Sequence, residues 1–213
     1  MRILLGNIPV TLLSGHGVLI EATGTLVVSD IHLGKSATFR SRGIPIPEGD
    51  TCHDLANLSR LILDTQAKQL VIAGDLFHAK QGMSPHVMEC IREWAAELSI
   101  PATLTEGNHD RKPLLSELSL PLEILPFIDI EGIRITHDPG DLHDDTAGIA
   151  GHLHPGAKVV ESPRRSLRVP AFYLKHPHHL VLPAFSRFTG MHMIRPDPKD
   201  KFYIPLAEKV VEL

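Results

Sequence analysis

Three short apolar segments in the first half of the chain each lead directly into a cluster of Asp, His or Asn residues. The segments are Leu26–Ser29, Gln69–Ala73 and Pro101–Leu104, followed by Asp30-Ile31-His32, Gly74-Asp75 and Gly107-Asn108-His109-Asp110. Apolar residues at helical spacing lie between them, so the order is strand, helix, strand, helix, strand, which predicts crossover connections and a largely parallel sheet. Because sites in open α/β sheets lie at the carboxyl ends of strands, we expect the three clusters to converge.

Two helices are predicted between these strands. The first runs from about Asp50 to Asp64 and follows a glycine- and proline-rich loop over residues 43–49. The second opens at Ser84-Pro85, an N-cap residue followed by a first-turn proline. Upstream, two apolar runs between residues 3 and 20 are interrupted by Ser14-Gly15-His16-Gly17, which predicts an opening hairpin.

The second half of the chain is rich in short β-type segments separated by turns. These segments are Ile124–Ile130, Ile133–His137, Phe172–Leu174 and His179–Leu182. No internal repeat and no long linker interrupts the chain. The fold class that we expect is therefore α/β: a two-sheet α/β sandwich with flanking helices, formed by residues 1–213 as a single domain.

Composition restricts the setting in which such a chain works. The net charge of −4 argues against a generic nucleic-acid coat protein, although it says little about an enzyme that meets phosphate through metals. The sequence has no apolar stretch near the ~18 residues of a membrane span and no signal-peptide pattern at Met1, so we expect a cytoplasmic protein without membrane contact. Cys52 and Cys90 are outside any CxxC motif and are expected to be reduced packing residues.

Five blocks of polar residues carry the chemistry. They are Asp30-x-His32, Gly74-Asp75, Gly107-Asn108-His109-Asp110, His137 and Gly151-His152-Leu153-His154. Residues i and i+2 of a strand point to the same face, so each of the pairs Asp30 with His32 and His152 with His154 is expected to reach one site. Carboxylate and imidazole without thiolate suit Mn²⁺, Fe²⁺ or Zn²⁺. The glycines before the ligands are expected to let the backbone approach bound ions closely.

The ordered set of blocks resembles the calcineurin-like metallophosphoesterase superfamily, whose pattern is DxH, GD, GNH(D/E), H and GHxH. The resemblance implies two divalent metal ions, for which we expect Mn²⁺, with Fe²⁺, Zn²⁺ and Mg²⁺ as alternatives. It implies that one ion is held by Asp30, His32, Asp75 and His154, and the other by Asp75, Asn108, His137 and His152, with Asp75 bridging. Such ions, ~3.5–4 Å apart, activate a water for in-line attack on phosphorus. His109 fits neither ligand set and is expected to donate a proton to the leaving oxygen or to stabilise its charge.

A narrower resemblance concerns His78. The block Gly74-Asp75-Leu76-Phe77-His78 is similar to that of the double-strand-break repair nucleases of the superfamily and lacks the Asp found in its protein phosphatases. The resemblance implies that His78 assists His109 at a phosphodiester, whereas a purely orienting role is the alternative.

Nearly the whole chain resembles the DNA-ligase-associated metallophosphoesterases, described as endonucleases of a DNA damage response. The resemblance is carried by Ser29–Lys35, Phe39, Arg42–Pro45 with Gly49, the GDLFH block, Gly151–Pro155 and Leu182–Gly190. One departure is Met191, where the family pattern has a second glycine. The resemblance implies DNA as substrate and a functional association with a DNA ligase and a helicase.

Several basic residues are candidates for phosphate contacts. Arg111 directly follows the GNHD block and is the best of them. Lys35, Arg40 and Arg42 follow the first ligand pair and either hold flanking phosphates or form a solvated loop. A third cluster at residues 164–168 is expected to be a surface hairpin.

The function that we expect is a dinuclear-metal phosphodiesterase, a nuclease associated with DNA repair. One alternative is a phosphomonoesterase or a nucleotide or cyclic-nucleotide hydrolase with the same metal core. The other is a scaffold with a residual metal site that recruits repair partners. The intact ligand set argues against this scaffold.

Overall fold

Two seven-stranded sheets pack face to face in the structure, a computed structural model that describes residues 1–110, 118, 120–162 and 165–213. From edge to edge, the first sheet contains β1 (Arg2–Leu5), β2 (Ile8–Leu12), β3 (Val18–Ile20), β4 (Thr25–Val28), β5 (Gln69–Ile72), β6 (Ala102–Thr105) and β7 (Leu122–Leu125). Strands β1 to β4 form an antiparallel meander, and β4 to β7 are parallel. The predicted parallel sheet is therefore the second half of a mixed one.

The second sheet is built by the C-terminal half of the chain. From edge to edge it contains β17 (Val210–Glu212), β16 (Lys201–Pro205), β13 (Phe172–Lys175), β14 (His179–Val181), β10 (Ala147–Ala150), β9 (Ile133–Ile135) and β8 (Ile128–Ile130). Its middle strands β9, β10 and β14 are parallel. A third, small sheet consists of β12 (Arg165–Pro170), β11 (Pro155–Ser162) and β15 (His192–Met193).

Helices cover the outer face of the first sheet. They are α1 (Lys35–Ser41), α2 (Asp50–Thr65) and α3 (Pro85–Glu97), with a short 3-10 turn at Lys80–Gly82 before α3 and another at Pro139–Asp141. The Ser84 side chain caps α3 by accepting a hydrogen bond from the Val87 N–H, as its position before Pro85 predicts. None of the helices in the described part of the chain is long and apolar enough to cross a bilayer.

Alternation along the central strands explains why both faces of the first sheet are buried. Leu70 and Ile72 of β5 pack against α2 and α3, whereas Val71 between them packs against the second sheet. Strand β4 divides its residues in the same way, with Leu26 toward the helices and Val27 toward the second sheet. The near-continuous apolar runs in the sequence follow from this double burial.

The predicted two-sheet α/β sandwich with flanking helices is confirmed. One predicted segment is wrong in a revealing way, because Ile124–Ile130 is not a single strand. The chain leaves the first sheet after β7 and enters the second at β8, with Pro126 between them. Helix α1 was not predicted, since it is short and its neighbouring glycines and prolines favour a loop. The third sheet was predicted only as a surface hairpin around residues 164–168.

The expectation that Cys52 and Cys90 are reduced packing residues is wrong for this structure. They form a disulfide between the first turn of α2 and the middle of α3, with Cα atoms 5.4 Å apart. The two residues are 38 positions apart in the sequence, and only the packing of α2 on α3 brings them together.

Candidate metal centre

The backbone turns sharply at the predicted ligands, directly beyond the strand ends. Five of them have left-handed conformations: Asp30 (φ 53°), His32 (φ 51°), Asp75 (φ 52°), His152 (φ 69°) and His154 (φ 46°). Side chains of ordinary residues disfavour this region by on the order of 1–3 kcal/mol each, so surrounding contacts must impose it. The paired reach of Asp30 with His32 therefore comes from these turns, and the strand alternation that we expected does not apply.

Backbone hydrogen bonds join the first two ligand segments side by side. The His32 N–H donates to the Asp75 carbonyl at 3.0 Å, the Leu33 N–H donates to the Leu76 carbonyl at 2.8 Å, and the His78 N–H donates back to the Leu33 carbonyl at 3.1 Å. At the turn itself, Gly74 has φ 76°, and a Cβ there would collide with the His137 ring. This close approach brings the end of the first sheet against a ligand from the second.

One group of ligand atoms comes from both ends of the ligand region. His32 Nε2 lies 3.2 Å from His154 Nε2, and His154 Nε2 lies 3.2 Å from Asp30 Oδ1. Asp30 is fully buried, and its carboxylate also accepts hydrogen bonds from the His152 N–H at 3.0 and 3.2 Å. The Asp30, His32 and His154 atoms lie within the spacing that one metal ion spans.

A second group lies beside the first. Asp75 Oδ1 is 3.5 Å from His137 Nε2, which is itself 3.2 Å from His152 Nδ1. The His137 Nδ1–H donates to the Ala73 carbonyl at 3.1 Å, and this fixes the tautomer that leaves Nε2 free for a metal. Asn108 presents Nδ2 to His152 at 3.5 Å, so as a metal ligand it must turn its amide to offer the oxygen.

The donor set fits divalent cations. Among the described residues, the ion-pair partners of the buried Asp30 and Asp75 carboxylates are histidines. Two ring nitrogens facing each other at 3.2 Å need a proton or a cation between them. Burial, together with the charge of Lys35, lowers the pKa of His32 to about 2, which disfavours the charged imidazolium. Imidazole nitrogens beside two buried carboxylates are donors that a divalent metal ion uses.

His109 lies at the edge of these groups and is exposed. Its backbone N–H donates to Asp75 Oδ1 at 2.9 Å, and its ring Nδ1–H donates to the His78 carbonyl at 2.7 Å. Its Nε2 is 4.0 Å from Asp75 Oδ2. The neighbouring Asp110 holds this loop by accepting hydrogen bonds from the Phe77 and Gly107 N–H groups, each at 3.2 Å. Burial raises the pKa of Asp110 to about 6.

The His78 ring contacts several other rings. It stacks on His109 with ring centroids 5.4 Å apart and on Phe39 at 6.5 Å, and it meets the His32 ring edge to face at 5.6 Å. Burial, followed by the charge of Lys35, lowers the pKa of His78 to about 4, and its buried Nδ1 has no hydrogen-bond partner among the described residues. At neutral pH, His78 is thus an uncharged imidazole.

The basic residues beside the site divide into different roles. Lys35 is half-buried, donates to Thr189 Oγ1 at 3.2 Å and interacts with the Asp30 and Asp75 charges. Arg40 instead holds its own loop through the Pro47 carbonyl at 3.0 Å and Glu48 at 3.0 Å.

Two further sequence predictions about arginines have different outcomes. Arg111 lies outside the described residues, so its role in substrate binding stays a prediction. The predicted surface hairpin is confirmed, since β11 and β12 pair antiparallel with Arg165 and Arg168 exposed.

Sequence reasoning missed the aromatic residues of the site. Phe39 stacks on His78, and Phe188, which is exposed, contacts Phe39 edge to face at a centroid distance of 5.8 Å. Phe39 and the segment Leu182–Gly190, which contains Phe188, are among the residues that carry the resemblance to the DNA-ligase-associated metallophosphoesterases, and this was the signal available in the sequence. The pairing itself depends on tertiary structure, because 149 positions separate them.

Two packed sheets whose strand ends carry buried carboxylates and imidazoles define a metal-dependent hydrolase of phosphoesters. A family model described as calcineurin-like phosphoesterase matches residues 24–166, which include the ligand blocks from Asp30 to His154. The chain belongs to the calcineurin-like phosphoesterase family.

Solved structures resemble the chain to different degrees. The crystal structure of Pseudomonas putida nuclease MPE has a TM-score of 0.81 and 28% sequence identity, and the match covers 100% of this chain and 99% of that one. Yfce, a phosphoesterase from E. coli, has a TM-score of 0.41 and 21% identity over 84% of this chain and 86% of its own. No curated protein sequence matches the chain.

Proposed function

We propose that the chain is a phosphodiesterase that cleaves nucleic acid, with DNA as the substrate, at a centre of two divalent cations. The observation that carries this is the pair of adjacent ligand groups, in which facing ring nitrogens are 3.2 Å apart in each group and buried carboxylates lie alongside. Asp30, His32, Asp75 and His154 would hold one ion, and Asp75, Asn108, His137 and His152 the other. The full-length likeness to a nuclease supports nucleic acid as the substrate.

When bound, a pair of such ions supplies Lewis acidity and a water of lowered pKa. The residues of the protein position the groups that take part in catalysis. The Asp75 carboxylate lies close to that of Asp30 in the first ligand group, which supports a bridging role. It also orients the His109 loop by accepting a hydrogen bond from the His109 N–H. The His78 carbonyl holds Nδ1 of His109, which leaves Nε2 at the edge of the centre to donate a proton to the leaving oxygen.

The surroundings of the centre favour a polymeric diester over a small monoester. His78 is held neutral, so it offers a hydrogen bond and no positive charge to a phosphate oxygen. A monoester dianion would call for more cationic groups at this position. The exposed Phe188 beside Phe39 provides a face on which a nucleobase can stack, worth about 1–3 kcal/mol per base. The proposed DNA-repair setting and the association with a ligase and a helicase rest on the resemblance to the DNA-ligase-associated metallophosphoesterases.

The experiment that tests this proposal compares two substrates. With saturating Mn²⁺, bis(p-nitrophenyl) phosphate should be turned over with a higher kcat/KM than p-nitrophenyl phosphate, and plasmid DNA should be nicked. Asp75→Asn should abolish both reactions. A preference for the monoester would identify a phosphomonoesterase. If the wild type shows no turnover, or if its turnover is unchanged in Asp75→Asn, a scaffold would be favoured instead.

A further inference from the structure

A second cluster of metal-binding side chains lies away from the candidate centre, between α2 and α3. Cys52 is in the first turn of α2, and His86 and Cys90 are one turn apart on α3. His86 Nε2 is 3.5 Å from Cys52 Sγ and 3.9 Å from Cys90 Sγ. Cys90 is buried, Cys52 is half-buried and His86 is exposed, so solvent and ions reach the cluster from the His86 side.

The nitrogen atom already lies where a zinc site would have it. With Zn–S bonds of about 2.3 Å and a Zn–N bond of about 2.0–2.1 Å, tetrahedral angles place ligand sulfur and nitrogen about 3.5 Å apart. The observed separation of 3.5 Å from Cys52 agrees with this distance, and the 3.9 Å from Cys90 is somewhat longer. The sulfur atoms alone must move apart, to about 3.8 Å, and breaking the disulfide frees both side chains to rotate.

We propose that reduction of the Cys52–Cys90 disulfide converts this cluster into a site for one Zn²⁺ ion, with Cys52, His86 and Cys90 as ligands and water as the fourth. A dithiol reductant supplies two electrons and two protons by thiol–disulfide exchange. It becomes a cyclic disulfide, and the protein gains two thiols. On zinc binding, both thiols lose their protons to solvent, and His86 binds through Nε2. Thiolates favour zinc here, whereas the carboxylate and imidazole centre accepts manganese.

Hydrogen bonds connect the start of α2, where Cys52 lies, to the loop that follows the predicted ligand His32. Thr51, next to Cys52, accepts a hydrogen bond from the Gly34 N–H at 3.0 Å, and Asp50 accepts one from the Ser36 N–H at 3.4 Å. Gly34 and Ser36 are two and four residues after the predicted ligand His32. Either the disulfide or the zinc ion would therefore link the first turn of α2, which supports this loop, to α3. Reduced protein without zinc would lack this link.

Cobalt substitution tests the proposal on the intact protein. The candidate centre has no sulfur ligand, so a thiolate-to-cobalt charge-transfer absorption can come from Cys52 and Cys90 alone. Protein with its main centre filled with Mn²⁺ is reduced, freed of the dithiol without oxygen and titrated with Co²⁺. The absorption should appear as Co²⁺ is added, reach a plateau, and disappear when Zn²⁺ is added. The oxidised protein should show none.

Variants assign the ligands. Cys52→Ser and Cys90→Ser should each remove the two-thiolate spectrum. Loss of an outer-shell partner alone costs roughly 10–100-fold in affinity, so His86→Ala, which removes a ligand, should weaken Co²⁺ binding at least about 100-fold. His53→Ala, an exposed histidine beside Cys52, is the matched control and should bind like the wild type. No absorption in the reduced wild type, or undiminished affinity in His86→Ala, would overturn the proposal. Because phosphoesterase activity is not measured, the result is independent of the proposed function.

Discussion

His109 and His152 lie in neighbouring positions of the site but have different expected roles. His152 Nδ1 faces His137 Nε2 within a ligand group, whereas the His109 ring is bonded to a backbone carbonyl at the edge. We expect His109→Ala to retain both metal ions and lose roughly 10²–10⁴-fold in rate, the usual contribution of a positioned acid. His152→Ala should lose metal. Elemental analysis together with kcat checks both, and a metal-free His109→Ala protein would show that the roles are assigned wrongly.

His78 gives a prediction about substrate preference. A sugar alkoxide is a poor leaving group that needs proton donation or charge stabilisation, and the His78 ring stacks on His109, the expected proton donor. We expect His78→Ala to reduce diester cleavage far more than monoester cleavage. The measurement is the ratio of kcat/KM for the two nitrophenyl substrates at saturating Mn²⁺. An unchanged ratio would reduce His78 to a support for the His109 ring.

A third residue, Asp54 on α2, should make stability depend on pH. Burial raises its pKa from 3.8 to about 6, so the folded protein disfavours the ionised form. Stability from this group is complete below pH 4 and is lost as the pH rises through about 6. Asp54→Asn should therefore gain about 2–3 kcal/mol over the wild type on going from pH 4 to pH 7. Urea unfolding with a chelator at both pH values measures this.

The control for Asp54 lies on the same helix. Asp64 is exposed, and Asp64→Asn should show no such gain. Equal pH dependence of the wild type and Asp54→Asn would mean that the Asp54 carboxyl is ionised in the folded protein at low cost.

At the level of elements, the contact between the start of α1 and the 3-10 turn Lys80–Gly82 fixes the spacing of the first two ligand segments. A Cβ at Gly82 would collide with the Gly34 carbonyl oxygen, which is backbone and cannot move aside cheaply. We expect Gly82→Ala to lower the free energy of unfolding by about 3 kcal/mol. Gly190→Ala, with open space around its Cβ, should stay within about 0.5 kcal/mol of the wild type. Denaturant unfolding of both variants decides, and equal stability would contradict the close contact.

The sequence predicted the elements that end in ligands better than those between them. Strands β4, β5 and β6 and helices α2 and α3 occur within a few residues of their predicted positions, because apolar periodicity and the Ser84 cap are local signals. Helix α1 and the split between β7 and β8 depend on tertiary packing, which no local pattern encodes. The left-handed turns at the ligands were not predicted for the same reason: Asp and His adopt this conformation more readily than most residues, but it is uncommon and depends on surrounding contacts.

At the level of the whole molecule, the predicted ligands come from both sheets. Asp30 and Asp75 follow strands of the first sheet, and His137 and His152 follow strands of the second. We expect activity to disappear after exhaustive chelation and to be restored best by Mn²⁺, because the donors are carboxylate, carboxamide and imidazole. Metal should also raise the unfolding temperature by mass action. Full activity in protein shown by elemental analysis to be metal-free would refute this prediction.

The single-domain extent of residues 1–213 and the cytoplasmic location stay predictions. The class of enzyme could be predicted from the sequence because ligand order survives in the chain as five short blocks. The contact between Phe39 and Phe188 and the cluster of Cys52 with His86 could not. Each joins residues whose distance along the chain carries no information about their distance in space.

Five predicted ligands have a left-handed backbone: Asp30, His32, Asp75, His152 and His154. At these positions, selection for stability and selection for metal binding favour different residues. Glycine would relieve the conformational cost at each of these positions, so a search for thermostable variants alone would be drawn to replace the very side chains that bind metal. Natural selection for catalysis must oppose that drift at every one of them. A descendant released from catalysis should therefore lose its ligands first where the backbone is most unfavourable to them.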